Sequence, residues 1–330
     1  MTISIKDIAR RAGVSHSTVS RALTGSSLVN AETKAHIRQL AQEMGYAPSA
    51  VARAMSTRRT QTIGVVVTSI ADPFVAQVVR GIEETALDCG YSVLLCNSND
   101  DPEREIATVR ALREKWVDAV IVAASRVGSF YAELTEIRVP VVLINNQQPG
   151  AYSFSVRNDD LIGGRLVGTY LLGLGHQHIA YISGRQSATS SQLRLEGCRQ
   201  VLNEAGVTIP PKWIVAGDGK PAGGEQSVDR LLESPPYPGA IFCYNDQTAM
   251  GALHALKAKR VRVPQEISLI GYDDIAAARY LDPPLTTIAQ TKYALGQQAM
   301  EMTRALLAGE TVQDVLLQPD LIVRQSCAPA

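Results

Sequence analysis

The sequence predicts a small helical head, built as an α helix-turn-helix, followed by a larger α/β body of two lobes with parallel sheets. Three observations predict this fold class: an excess of basic residues confined to the first sixty positions, three short amphipathic helical patterns in that segment, and short apolar runs alternating with amphipathic stretches from residue 61 onward. A chain of 330 residues is also too long for one ordinary domain.

Charge is divided unevenly along the chain. Residues 1–60 hold nine Lys and Arg against three Asp and Glu, a net charge of +6, whereas residues 61–330 hold 23 against 29, a net charge of −6. A basic head on an acidic body suggests that only the head contacts a polyanion such as nucleic acid. A basic face that is merely solvated is the alternative that charge alone leaves open.

Capping residues predict the first helix and the turn after it. Ser4 stands before an apolar stripe of helical spacing, and Asp7, three residues later, completes a capping box. Gly13 ends the helix where a positive φ is expected. The residues expected to face inward are Ile5, Ile8, Ala9 and Ala12.

Two further helices complete the head. Ser15 caps a second helix that runs to Leu23, and Asn30 caps a third that ends at Gly45. Two short helices joined by a tight glycine turn and closed by a third are typical of a helix-turn-helix, whose second helix enters the major groove of DNA. A generic three-helix bundle is the alternative.

Two segments carry a resemblance to a known family. The segment IKDIARRAGVSHSTVSRAL at residues 5–23 resembles the N-terminal signature of the lactose-repressor/galactose-repressor (LacI/GalR) family of bacterial transcriptional regulators. The segment MGYAPSAVARAMSTRRTQTIGVV at residues 44–66 is similar to that family's hinge and its entry into the sensor domain, and the similarity continues to the C-terminus. The resemblance implies a sequence-specific DNA-binding regulator, with repression as the expected action.

The resemblance also implies which residues of the head contact double-stranded DNA. His16 and Ser17 take the places that read bases in the major groove, and Arg21 takes that of a base or backbone contact. Phosphate contacts, which position the head, are implied for Ser15, Thr18 and Tyr46. Without the motif, His16 would be an ordinary exposed helix residue.

Residues 48–60 are expected to form a hinge helix and linker. The helical pattern after Pro48 is too short for a stable isolated helix. The resemblance implies that it folds when paired with its twin on DNA and enters the minor groove, where Met55 takes the place of a wedging leucine. Ala52 and Arg53 match the family pattern, and Arg53 is placed for a phosphate or minor-groove contact. A plain flexible linker is the alternative.

Apolar runs in residues 61–330 predict two series of buried parallel strands separated by the polar stretch Gln147–Asp160. The predicted strands are Ile63–Thr68, Ser92–Asn97, Ala119–Ala123 and Val141–Asn145, then Ile179–Ser183, Trp213–Ala216, Ala240–Tyr244 and Ser268–Tyr272. The resemblance implies a periplasmic-binding-protein-like sensor domain that also dimerises. Its lobe one spans about 61–160 plus 290–320, its lobe two spans about 161–289 plus 321–330, and residues 1–47 form the headpiece.

An effector cleft is expected between the two lobes, because ligands of such folds bind outside the carboxyl ends of the strands. The resemblance implies that Ser190, Arg194, Asn245 and Asp273 line it; arginine and aspartate side by side can grip adjacent hydroxyls. Phe74 is expected to supply an apolar platform, and Asn145 takes a place often held by aspartate. The alternative for each residue alone is a helix cap or a turn, and this is the interpretation we favour for Asp246 and Asp274.

A sugar or sugar derivative is the expected effector, with a nucleobase or nucleoside as the alternative. Many relatives carry an aromatic ring after the segment VAGD that clamps the effector, whereas this chain has Gly219. We therefore expect a small ligand or one held by hydrogen bonds. Reading two half-sites of a palindromic operator requires a homodimer, and we expect no C-terminal tetramerisation tail. The sequence leaves open whether the effector induces or co-represses.

Other classes of protein are less well supported. The glycines of GTYLLGLGHQH follow a helix-like run, which makes a poor dinucleotide site, and no GxSxG, HExxH or P-loop pattern occurs. Five scattered cysteines form no CxxC pair, so no zinc site is expected. We expect no other metal site and no cofactor, and we expect His176 and His178 to be loop and surface residues. A secreted sugar-binding receptor is disfavoured by the basic head and by a first segment without an apolar signal core. We expect a cytoplasmic regulator that is neither an enzyme nor membrane-bound.

Overall fold

The computed structural model of the protein describes residues 3–24, 26–46, 59–125, 139–146, 154–185 and 188–330. It divides into two compact units, Met1–Thr60 and Gln61–Ala330, which we call the head and the body.

Three helices form the head: α1 (Ile5–Ala12), α2 (His16–Leu23) and α3 (Ala31–Glu43). The predicted caps are confirmed. The Ser4 amide donates to Asp7 Oδ2 at 3.0 Å, the Thr18 amide to Ser15 Oγ at 3.1 Å, and the Thr33 amide to Asn30 Oδ1 at 2.8 Å. Gly13 ends α1 at a φ of 67°, in the left-handed region. The buried core joins all three helices through Ile8, Ala9, Val19, Ala22, Val29, Ile37 and Ala41.

The first lobe of the body is a six-stranded parallel sheet in the order β11-β5-β4-β3-β1-β2. Its strands are β1 (Thr62–Val67), β2 (Ser92–Asn97), β3 (Ala119–Ala123), β4 (Val141–Ile144), β5 (Phe154–Asn158) and β11 (Val315–Leu317). Its helices are α4 (Pro73–Asp88), α5 (Pro102–Glu114) and α10 (Lys292–Leu307). Because β1, β3 and β4 are buried almost throughout, their apolar runs have no alternation.

The second lobe repeats this plan with the sheet order β12-β10-β9-β8-β6-β7, parallel except for the antiparallel pair β10 and β12. Its strands are β6 (Ile179–Ile182), β7 (Ile214–Val215), β8 (Ala240–Cys243), β9 (Ser268–Asp273), β10 (Thr286–Ala289) and β12 (Asp320–Ile322). Its helices are α6 (Asp160–Gly173), α7 (Thr189–Glu204), α8 (Pro221–Leu231) and α9 (Asp246–Ala258). The chain passes from one sheet to the other after β5, after β10 and after β11.

All eight predicted strands are present, with ends shifted by at most one residue. Four strands were not predicted. β5 lies inside the stretch that we expected to be a polar connection, and β10, β11 and β12 are too short to show a period. The predicted fold class is confirmed.

Glycines allow helices α6 and α7 to cross at close range. A Cβ atom at Gly164 would overlap the carbonyl oxygen of Arg194, and one at Gly197 would overlap that of Leu161. The backbones of the two helices therefore touch where larger residues would separate them.

His176 lies in a loop, as expected, but the expectation that it is a surface residue was wrong. Its side chain is buried, and its Nε2 atom lies 3.0 Å from both Ser268 Oγ and the carbonyl oxygen of Ala328. The C-terminal segment covers the ring, a long-range contact that local sequence does not reveal. Burial lowers the pKa of His176. His178 is exposed, as expected.

No described helix is long and apolar enough to cross a membrane. Among the same residues, no cluster of three metal-ligating side chains occurs.

Candidate ligand cleft and candidate DNA-binding helix

A cavity of about 660 Å³ lies at the carboxyl ends of both sheets of the body. Side chains of both lobes line this cavity. Lobe one contributes Thr68, Asp72 and Asp100, and the ends of lobe-two strands are followed by Arg185, Tyr244 and Gln290. The structure brings all six predicted effector residues into its lining: Phe74, Asn145, Ser190, Arg194, Asn245 and Asp273.

The guanidinium group of Arg194 lies at the centre of a group of polar atoms that lines one side of the cavity. It projects from α7 and is only 4% exposed. Its Nε donates to Asp160 Oδ1 at 2.8 Å and its Nη1 to the carbonyl oxygen of Tyr244 at 2.6 Å, while Asp273 Oδ1 lies 3.8 Å from Nη1. Burial so complete is tolerated because the charge is paired and hydrogen-bonded.

Two tyrosine rings hold the guanidinium group in place. Its central carbon lies 3.6 Å from the ring centroid of Tyr272 and 4.7 Å from that of Tyr244. Stacking on aromatic faces fixes the plane of an arginine side chain and adds a cation–π attraction. Arg194 is therefore a rigid donor at the edge of the cavity.

Asp273 ends β9 in a strained conformation, with a φ of 113°. Gln290 Nε2 donates to its Oδ1 at 2.5 Å, and the ammonium group of Lys292 donates to its carbonyl oxygen. Burial raises the pKa of Asp273, and the guanidinium group of Arg194 opposes that rise. The cavity thus has a carboxyl acceptor beside an arginine donor.

The two asparagines also support the fold. Asn245 is the N-cap of α9: its Oδ1 accepts from the Thr248 amide at 2.8 Å, and its Nδ2 donates to the carbonyl oxygen of Gly219 at 3.0 Å. Asn145 has a φ of 52°, and its Oδ1 accepts from the Asn158 amide at 3.2 Å. The capping alternative weighed for strand-end residues therefore applies to Asn245, although it lines the cavity as well.

Phe74 and Ser190 lie near helix starts on opposite lobes. Phe74 is half-buried in the first turn of α4, and its amide donates to Asp72 Oδ1 at 2.9 Å. Ser190 Oγ, in the first turn of α7, lies 3.1 Å from the hydroxyl oxygen of Tyr244.

Most other residues of the cavity lining were not predicted from the sequence, and three of them, Tyr244, Arg185 and Asp100, make contacts that shape it. Tyr244 follows β8 and could have been found by the strand-end rule that selected Asn245. Arg185 and Asp100 form an ion pair across the cavity, with Nη2 of the arginine 3.3 Å from Oδ2 of the aspartate. No local pattern signals that pair, because its members lie 85 residues apart.

The charges that line the cavity are nearly balanced. Four carboxyl side chains (Asp72, Asp100, Asp218 and Asp273) face three basic ones (Arg185, Arg194 and Lys220). Burial raises the pKa of Asp72, as it does that of Asp273, which favours their neutral forms. The lining therefore suits a neutral, hydroxyl-rich ligand better than a strongly charged one.

Asp246 and Asp274 have structural roles, but the expectation that they cap helices or make turns was wrong, because both act through long-range contacts. Asp246 is buried and accepts hydrogen bonds from the Thr287 hydroxyl at 2.5 Å and from the Ile275 amide at 2.8 Å. Burial raises the pKa of Asp246 to about 7. The Asp274 carboxylate pairs with Arg324 at 2.6 Å.

The second helix of the head presents the predicted DNA-contacting residues. Burial of Val19 and Ala22 turns the opposite face outward, so that Ser15, His16, Ser17 and Arg21 are exposed. Thr18 and Tyr46 are half-buried, and Ser15 Oγ lies 2.8 Å from both Ser17 Oγ and Thr18 Oγ1. The hinge predictions for Ala52, Arg53 and Met55 lie outside the described residues.

Comparison with known proteins agrees with this geometry. Residues 4–49 match the family model described as bacterial regulatory proteins, lacI family, and residues 169–327 match the model of a periplasmic binding protein-like domain. The chain is 36% identical to the HTH-type transcriptional repressor PurR of Haemophilus influenzae (strain PittEE), over 98% of each chain. It is 37% identical to the ribose operon repressor of Escherichia coli (strain K12), over 98% of this chain and 99% of the relative.

Solved structures extend the likeness to three dimensions. The lac repressor dimer bound to operator and the anti-inducer ONPF matches with a TM-score of 0.88 and 29% identity, over 99% of this chain and 100% of that one. A LacI family regulator from Enterococcus faecium with bound ribose matches with a TM-score of 0.74 and 30% identity, over 82% of this chain and 99% of that one.

A helix-turn-helix head and a two-lobed, ligand-binding body define a class of DNA-binding regulators controlled by small molecules. The chain belongs to the lacI family of bacterial regulatory proteins. It is an effector-controlled, DNA-binding transcriptional repressor.

Proposed function

We propose that the protein represses transcription as a homodimer bound to a palindromic operator, and that a neutral sugar or sugar derivative in the body's cleft controls its DNA affinity. A single head can read a half-site only, so tight and specific binding needs two heads with matched spacing. Such a regulator works in the compartment that holds the DNA.

One observation carries the sugar proposal: a fixed arginine and a carboxyl group lie side by side in a cavity of nearly balanced charge. Arg194 supplies N–H donors and Asp273 supplies acceptors within 4 Å of each other, a spacing that suits two neighbouring hydroxyls of one sugar ring. The cavity volume of about 660 Å³ is ample for a sugar. Ribose is bound in one similar structure and cellobiose in another, a CelR regulator of 28% identity.

A nucleobase or nucleoside remains the second candidate. Amide side chains of the lining, Asn145 and Gln290 among them, could pair with the polar edge of a base. Gly219 itself presents no side chain to such a base, so stacking would depend on Phe74 and Tyr244, which are aromatic residues of the lining. The donor and acceptor that Arg194 and Asp273 place side by side favour the sugar.

Control of DNA binding follows from the cleft's position between the lobes. Groups that contact the ligand come from both sheets, and three strand connections join the lobes, so a bound effector favours one lobe arrangement over the other. The effector shifts the equilibrium only as far as its affinities for the two arrangements differ. The hinge residues Ala52, Arg53 and Met55 would transmit that shift to the operator's minor groove, while His16 and Ser17 read its bases.

The test begins with the selection of bound sequences from random duplex DNA. The winning duplex is then titrated with the protein by fluorescence anisotropy, alone and with each member of a panel of sugars and nucleosides. We expect an enriched palindrome whose affinity changes with one sugar.

A pair of variants in the head tests the proposal that α2 contacts the operator bases. His16→Ala should alter the enriched bases and weaken specific binding, with about 1–3 kcal/mol of discrimination lost at one position. Gln42→Ala, an exposed residue of α3, is the matched control and should leave the enriched sequence unchanged. Failure to enrich any DNA sequence would contradict the operator proposal. An operator affinity that responds to nucleosides and to no sugar would contradict the sugar proposal.

A further inference from the structure

The ring of Tyr244 closes one wall of the cleft. Tyr244 follows β8, lines the cavity and is half-buried. Its hydroxyl oxygen lies 3.1 Å from Ser190 Oγ, and the guanidinium group of Arg194 lies 4.7 Å from its ring centroid. The Tyr244 side chain is thus fixed by its hydroxyl contact with Ser190 and by its cation–π contact with Arg194. A change of rotamer would break both contacts.

Two glycines make room for this ring. A Cβ atom at Gly184, after β6, would lie 2.9 Å from Cδ1 and Cε1 of Tyr244, closer than real Cβ atoms approach. One at Gly219, after β7, would lie 3.4 Å from Cε1, and the φ of 81° at Gly219 strains any side chain there. The ring therefore extends from the end of β8 across the end of β6 toward the loop after β7. It occupies space into which a side chain at either position, or a bulky part of a ligand, would otherwise project.

We propose that Tyr244 is a specificity-determining residue of the cleft, which restricts the effector to a single sugar ring by filling the space beside Gly184 and Gly219. This inference rests on the proposed sugar effector. Selectivity arises because a second sugar ring placed on that side meets an aromatic wall that is fixed by its contacts, and a rigid wall discriminates by steric exclusion.

The experiment is calorimetric titration of the full chain with D-ribose, D-glucose and D-galactose as monosaccharides and with cellobiose and maltose as disaccharides. We expect wild type to prefer a monosaccharide over both disaccharides by at least about tenfold. In Tyr244→Ala that preference should shrink by about tenfold or more, because the opened space admits the second ring. The conservative variant Tyr244→Phe loses the hydroxyl contact with Ser190 but keeps the ring and its contact with Arg194, so it should keep most of the wild-type ratio of affinities. So should Tyr237→Ala, which removes an exposed tyrosine outside the cavity lining.

The ratio of affinities separates a specificity role from a purely structural one. A tyrosine that only supports the fold would weaken all sugars alike and leave the ratio unchanged. Disaccharides bound as tightly as monosaccharides by wild type, or an unchanged ratio in Tyr244→Ala, would overturn the inference while the sugar effector stands. If neither wild type nor Tyr244→Ala binds any sugar of the panel, the sugar effector and this inference both fail. Should Tyr244→Ala not fold, Tyr244→Leu retains apolar bulk beside Arg194 but lacks the outer ring atoms, and the same change in ratio is expected of it.

Discussion

Removal of the Arg194 guanidinium group is predicted to destabilise the body strongly. Arg194 and Asp160 are 4% and 3% exposed and lie 2.8 Å apart, and Asp273 lies 3.8 Å from the same guanidinium group. In Arg194→Met the Asp160 carboxylate loses its buried cation, a change that costs about 3–5 kcal/mol. Burial already raises the pKa of Asp160, so without Arg194 the carboxyl group should take up a proton, which limits the cost.

Urea unfolding of four proteins measures this coupling: wild type, Arg194→Met, Asp160→Asn and the double variant. Arg194→Met leaves Asp160 without its cation, and Asp160→Asn leaves Arg194 with only the more distant Asp273, whereas the double change replaces both members of the pair by neutral side chains. The double variant should therefore be more stable than the sum of the single losses predicts, by about 2 kcal/mol. Losses that add to within about 0.5 kcal/mol would refute the reasoning, because independent residues add in that way.

Three further predictions concern packing, cleft closure and pH. Gly197→Ala should cost about 1–3 kcal/mol of unfolding free energy, because its Cβ overlaps a carbonyl oxygen of α6; Gly173→Ala, with open space around it, should cost nothing. Arg185→Ala should weaken effector binding about two- to fivefold, because its ion pair with Asp100 joins the two lobes but is partly exposed. The double variant Arg185→Asp, Asp100→Arg exchanges the two charges and should restore the affinity. An affinity that stays low in the double variant would contradict a role for this ion pair. Burial raises the pKa of Asp246 to about 7 in the folded state, so protonation at low pH favours the folded state. As the pH rises from 5 to 7, wild type should lose stability relative to Asp246→Asn by about 1 kcal/mol per pH unit. Parallel pH profiles of the two proteins would contradict this.

Much of the fold could be predicted because burial and capping leave local signatures. β1 and β3 are buried on both faces and appear in the sequence as unbroken apolar runs, and the Ser4 and Asp7 capping box and Gly13 mark the ends of α1. β5 was missed because its residues Phe154–Asn158 include polar side chains, and its strand character comes from pairing with β4 and β11.

The cleft was predictable only in part. Strand ends and the family resemblance selected residues that do meet at one cavity, Arg194 and Asp273 among them. The ion pair of Arg185 with Asp100 depends on how the two sheets face each other, and the proximity of Tyr244 to Gly219 depends on how three neighbouring strands of one sheet align. No local sequence pattern encodes either arrangement. For the same reason His176 was misjudged: its partners, Ser268 and Ala328, lie far away along the chain.

The claim that a ligand in this cleft controls DNA binding is tested most directly by one anisotropy titration. The operator affinity of wild type and of the Arg194→Met, Asp160→Asn double variant is measured as the effector sugar is added. The affinity of each protein without sugar serves as its own reference, because a change in the body also acts on the lobe arrangement that sets operator affinity. Wild-type affinity should then change with sugar concentration while that of the double variant stays constant. A double variant that responds at the same sugar concentrations as wild type would contradict the assignment of the cleft as the effector site.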